Sequence, residues 1–125
     1  MAQLSKEIPH EFITHLYTNY NSKDIETVAT LFGQHSKIIY GGTTYSNLEE
    51  IGEFYTSFFE SLKKVEPTQM VFLPSGSRGF RIHLKGHIQL LDDSETTFSE
   101  SIVIRESNKK KDKSIWVESI ITMFD

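Results

Sequence analysis

Residues 80–90 alternate strictly between apolar or small side chains (Phe80, Ile82, Leu84, Gly86, Ile88, Leu90) and polar ones (Arg81, His83, Lys85, His87, Gln89). A period of two sustained over eleven positions is the pattern of a strand with one covered face. Two further β-rich runs follow at 97–105 and 114–124. The last of these is apolar on both sides. Simple alternation puts Ile115, Val117, Ile121 and Met123 on one face and Trp116, Ile120 and Phe124 on the other. A strand of that kind needs two coverings, its own helices and a second surface, and the reading here is that another chain supplies the second.

At 125 residues the chain forms one domain, read as spanning 1–125, with enough apolar content to bury a core. Thirteen Lys and Arg against seventeen Asp and Glu give a net charge of -4. That balance argues against a nucleic-acid binder working by bulk electrostatics, and leaves only weak or indirect contact. Without cysteine there is no disulfide framework, thiolate zinc site or cysteine nucleophile. The opening residues lack the apolar stretch of a signal peptide, and no segment reads as a membrane span. The expected location is the nucleus and cytoplasm.

The front of the chain has helical spacing. Phe12, Ile13, Leu16, Tyr17 and Tyr20 form one apolar stripe after Pro9, which suits a first helical turn. A second, shorter helix is expected over 24–32 with Gly33 as its C-cap. Residues 38–40 read as a short strand stopped by Gly41-Gly42. Asn47 with Glu50 three residues later marks a capping-box-like start. Leu48, Ile51, Phe54, Tyr55, Phe58 and Leu62 then give the third helix its apolar side. After Pro67 the reading is strand and turn: strands at 69–73, 80–90, 97–105 and 114–124. The order α-α-β-α-β-β-β-β, with hairpin-length loops at the end, defines an α+β fold on an antiparallel sheet.

This order resembles the nuclear transport factor 2 (NTF2)-like family, whose cone packs three helices into the concave side of a curved sheet. The likeness covers nearly the whole chain. It rests on the Phe12, Tyr17 and Tyr20 stripe, on Leu31-Phe32-Gly33 before a short strand, and on the run from Gly86 through Asp92-Asp93 to Phe98-Ser99-Glu100. Members of the family that carry the Ran GTPase place an aromatic and then a glutamate at the end of the first strand. Here Tyr40-Gly41 keeps the aromatic and loses the carboxylate, although Asp92-Asp93 remains. Losing one member of such a charge pair costs roughly 2–5 kcal/mol of binding, which argues against Ran carriage.

The small subunit of the mRNA export receptor is similar at Tyr40-Gly41-Gly42 and at Trp116, which opens the last strand. That resemblance implies a non-catalytic subunit at the nuclear pore. Its partner would be a larger NTF2-like subunit, the pair would support binding of Phe-Gly repeats, and no cofactor would be needed. One departure stands out: the charged residues that both branches carry late in the last strand are replaced here by Ile120-Ile121-Thr122-Met123-Phe124. The same fold also frames homodimeric peptide-binding scaffolds, and isomerases and dehydratases that work inside the cone; fold alone does not choose among them.

Four groups of residues are candidates for function. Trp116, Ile120, Ile121, Met123 and Phe124 are expected at the partner interface, with His83, Lys85 and His87 at its margin. Arg81, His83, Lys85 and His87 form a basic row that two identical faces would set against each other, which favours a heterodimer. Glu100 and Glu118 stand among apolar neighbours. A cone enzyme would use one as general base with tyrosine donors, while the expected state is a solvated or paired carboxylate at a sheet edge or dimer rim. Finally, Lys109-Lys110-Lys111-Asp112-Lys113 reads as a solvated hairpin tip. No metal is expected, because His83 and His87 lie about 13 Å apart on a strand rising ~3.3 Å per residue.

Overall fold

A computed structural model describes residues 7–76, 78–106 and 115–125. The lysine-rich run at 109–113 lies outside them. Helix α1 (Glu7–Ser22) buries all five residues of the anticipated stripe. Near its end, the Asn21 amide donates to the Val65 carbonyl at 2.8 Å and accepts from the Val65 N–H at 2.9 Å, tying the helix to the sheet. Helix α2 (Ile25–Ala29) is shorter than its apolar pattern implied. It begins at Asp24, whose carboxylate accepts from the Thr27 N–H, and closes at Thr30. Gly33 is therefore not a C-cap. It lies inside strand β1 (Phe32–Tyr40), beside the Trp116 indole.

Gly41 and Gly42, both at positive φ, turn β1 into a short strand β2 (Thr43–Tyr45) that pairs back on it. Two left-handed positions in a two-residue loop are what a type I′ hairpin requires, so the glycines join two strands instead of ending one. Helix α3 (Leu48–Ser61) starts as anticipated. Asn47 accepts from the Glu50 N–H at 2.8 Å, and the Glu50 carboxylate reaches back to the Ser46 N–H at 3.0 Å. Ile51, Phe54, Tyr55, Phe58 and Phe59 are buried, whereas Leu48, in the first turn, is exposed.

Strand β3 (Leu62–Pro74) begins directly after α3, seven residues before the strand expected at Gln69. The polar stretch Lys63, Lys64 and Glu66 and the proline at 67 hide it in the sequence. β3 is an edge strand, where Pro67 sits beside a register shift and costs no ladder bond on an inner neighbour. Strands β4 (Gly79–Leu90), β5 (Glu95–Glu106) and β6 (Ile115–Phe124) complete a six-stranded curved sheet in the order β2-β1-β6-β5-β4-β3. The sheet is mixed: β1 runs parallel to β6, against the expectation of an antiparallel sheet throughout. The chain between them, with a helix and four strands, is long enough for such a crossover. The core lies between the three helices and the inner face of this sheet.

Gly86 shows why the motif that carried the resemblance is built as it is. It pairs across the strands with Phe98, and a Cβ on Gly86 would stand 2.4 Å from the Phe98 ring. The glycine is the space that the phenylalanine fills.

Candidate functional site

Two surfaces hold the candidate residues, the inside of the cone and the outer face of the sheet. Register decides which residue goes where. Between Ile104↔Val117 and Val103↔Ser119 the β5–β6 ladder shifts by one residue, so Glu118 is a bulge. Alternation is broken there. Ile115, Val117, Ile120, Thr122 and Phe124 turn inward, and Trp116, Ser119, Ile121 and Met123 turn outward. This corrects the face assignment made from simple alternation. Ile120 is core at 2% exposure, so it is no interface residue. Phe124 packs edge-on against Tyr40 on the inner side, with ring centroids 4.9 Å apart.

Inside the cone, Glu100 is buried and doubly held. The Tyr17 hydroxyl donates to its Oε1 at 2.6 Å, and the Thr122 hydroxyl donates to its Oε2 at 2.6 Å. Burial raises its pKa above the usual carboxylate range, opposed in part by those two hydrogen bonds. The expectation of a solvated or rim glutamate is thus overturned at this position. The reason is that β5 turns Phe98, Glu100 and Ile102 to the same inner face. Burial, aided by the nearby Glu100 carboxylate, pushes the Tyr17 hydroxyl well above its ordinary value. Next to it Tyr20 and Tyr55 share a hydroxyl–hydroxyl hydrogen bond of 2.5 Å. Tyr40, nearer the mouth, is pushed up to about 12, first by burial and then by Glu100. The space these groups enclose is about 20 Å³, room for a single water. Among the described residues, no buried side-chain nitrogen or oxygen lacks a hydrogen-bond partner.

Glu118 behaves as anticipated for a partly exposed carboxylate, accepting from Arg105 Nε at 3.3 Å. Asp92 and Asp93 occupy the β4–β5 turn and are engaged locally. Asp92 accepts from the Ser94 N–H and hydroxyl, which hold its carboxyl below the usual range. Asp93 pairs with Lys63 at 3.0 Å. Neither is bonded to Tyr40 or Gly41 among the described residues. No three His, Asp or Glu side chains come together as a metal site among the described residues.

The outer face of the sheet holds the remaining candidates. Ile82, Leu84 and Ile88 of β4 are buried against the helices, so Arg81, His83 and Lys85 point outward and are exposed. His87 is half-buried, 3.8 Å from the Glu95 carboxylate. Beside this row lies a groove of about 390 Å³, bordered by Gln69, Val71, His83, Lys85, Ile121 and Met123. Val71 is 56% exposed and Met123 is 66% exposed. Val71 was not singled out in the sequence, because it stands in the apolar run Met70-Val71-Phe72-Leu73, and such a run carries no signal of which members face outward across the sheet. The structure thus groups Ile121, Met123, His83 and Lys85 around one groove, leaves Trp116 further along the same face, and sends Ile120 and Phe124 to the other side.

A family model for the nuclear transport factor 2 (NTF2) domain matches residues 8–123, and the chain belongs to that family. No curated protein matches it. Among solved structures, nuclear transport factor 2 from Cryptosporidium parvum is 17% identical with a TM-score of 0.80, covering 95% of this chain and 93% of that one. The yeast UBP3-associated protein BRE5 is 14% identical with a TM-score of 0.81, covering 99% of this chain and 98% of its own. A putative calcium/calmodulin-dependent protein kinase II association domain from Xanthomonas campestris is 11% identical with a TM-score of 0.81, over 99% and 89%. At these identities the likeness is one of fold. No helix among the described residues is long and apolar enough to cross a membrane.

Proposed function

We propose that this chain is a non-catalytic NTF2-like subunit that pairs through the outer face of its sheet with the NTF2-like domain of a larger partner. The pair would act in nuclear transport, in mRNA export, by supporting contact with Phe-Gly repeats at the nuclear pore, with the chain itself in nucleus and cytoplasm. One observation carries this reading: Val71, Ile121 and Met123 stand exposed around a groove on the sheet face that the helices leave uncovered. Covering that face with about 800 Å² from each side would make an interface of standard size. The test is co-expression of the tagged chain with a larger NTF2-like subunit. The wild type is expected to co-purify at equal stoichiometry. Ile121→Asp, which sets a carboxylate into the apolar patch, and Trp116→Ala should each weaken capture at least tenfold, roughly 1.4 kcal/mol or more. Undiminished capture of both variants would overturn the proposed face.

A second reading is favoured by one specific observation. Glu100, buried with Tyr17 donating to it, has the form of an acid–base pair inside the cone. A small-molecule isomerase or dehydratase of this design needs a chamber for its substrate, and about 20 Å³ holds none. The filled cone therefore supports the non-catalytic reading, with Glu100 as a structural carboxyl.

A further inference from the structure

Along three rows of the outer face the charge is of one sign, although the chain as a whole is acidic, at -4. Strand register sets the arrangement. Lys85 lies between Gln69 and Ser99, His83 between Val71 and Ser101, and Arg81 between Leu73 and Val103. Ser99, Ser101 and Val103 in turn face Met123, Ile121 and Ser119 of β6, and Lys37 of β1 pairs with Ser119. No position in these three rows is a carboxylate. The neighbouring acids lie outside them and are engaged: Glu66 with Lys64 at 3.6 Å, Glu95 with His87 at 3.8 Å and Glu118 with Arg105 at 3.3 Å. Among the described residues, no ion pair uses Lys37, Arg81 or Lys85.

We infer that this face selects a different chain whose surface carries carboxylates beside aliphatic side chains, and that it disfavours a second copy of itself. The inference rests on the outer-face pairing proposed above and names its partner's chemistry. A two-fold contact between identical chains presents the same patch from both sides. Such a copy brings further cations and has no carboxylate in these rows to offer. Like charges set together across an interface cost several kcal/mol, whereas opposite potentials set register and speed encounter. A partner carboxylate opposite Arg81 would meet a planar fork that binds both of its oxygens, and Lys85 would supply a second cation nearby. Val71, Ile121 and Met123 supply the dry area around them. A nucleic acid is the poorer occupant. Single strands are held by a cationic groove together with aromatic platforms, and Trp116 is the one aromatic on this face among the described residues.

The test needs no knowledge of the natural partner, because the chain can be made into its own complement. Arg81→Glu/Lys85→Glu gives a copy with carboxylates beside the same aliphatic groups. Mixed with wild type at low salt, it should form a one-to-one dimer on the order of tenfold tighter than wild type forms with itself, and this advantage should fade at high salt. Native mass spectrometry of chains labelled to different masses reads all three species at once. Circular dichroism verifies the fold of the double variant, with Arg81→Gln/Lys85→Gln in reserve, for which the expected gain is smaller but of the same sign. A wild-type self-dimer as tight as the mixed one, or a mixture that stays monomeric, overturns the charge rule. Tight binding of a single-stranded RNA oligomer by wild type at physiological salt would overturn it in favour of nucleic acid. Failure of the pairing itself is separate: it appears as undiminished capture of the Ile121→Asp and Trp116→Ala variants by the larger subunit.

Discussion

Glu100 sits on a strand yet is held by a helix, through the Tyr17 hydroxyl on α1, and by its neighbouring strand through Thr122. Because burial raises its folded-state pKa, the folded protein binds this proton more tightly than the unfolded chain does. The stability from this site is therefore fully present below the ordinary carboxylate pKa and is lost as pH rises through the raised value. Glu100→Gln removes that dependence. Chemical denaturation of both proteins from pH 4 upward should show the variant gaining on wild type, with a limiting slope of about 1.4 kcal/mol per pH unit inside that window. A pH-independent difference would contradict the assignment. At Gly86, alanine has no room against Phe98, and Gly86→Ala should cost roughly 1–3 kcal/mol or more by urea denaturation. The sequence signalled Gly86 and Phe98 only as parts of a motif. Nothing in it said that they touch, because the partner in a ladder is set by turn length and bulges elsewhere.

At the level of elements, the first and third helices were legible, while the second helix and the sheet were only partly so. The stripe of α1 and the Asn47 cap of α3 follow from rules acting within a few residues, and both appear where those rules place them. Asn47→Ala should accordingly lower stability by about 0.5–2 kcal/mol, measurable by thermal unfolding, by leaving the Glu50 N–H without its acceptor. The first half of strand β3, before the strand read at 69–73, was hidden because it is polar and carries a proline, and only its position at the sheet edge makes that tolerable. The bulge at Glu118 was also hidden. One extra residue reverses the facing of all that follows it, and no local propensity marks where it falls. This is why Ile121 and Met123 were rightly expected on one face while Ile120 and Phe124 were wrongly placed together with Trp116.

At the scale of the whole molecule, the cone and the outer face divide the chemistry between them. Aromatic rings and one buried carboxyl fill the inside, where about 20 Å³ remains open. The outside keeps an exposed aliphatic strip beside cations that lack partners of opposite charge in their own rows. The sequence signalled a last strand apolar on both sides, and the fold leaves Ile121 and Met123 of that strand exposed on the outer one; that a second chain covers them is the proposal. Which surface supplies that covering depends on curvature and register, and these become visible only in the folded chain. On the proposed reading the outer face waits for a different chain, and light scattering on the purified protein across a concentration range decides the matter. The prediction is a mass near 14.4 kDa that rises only when a larger NTF2-like subunit is co-expressed. A stable dimer of the chain alone, at twice 14.4 kDa, would contradict it.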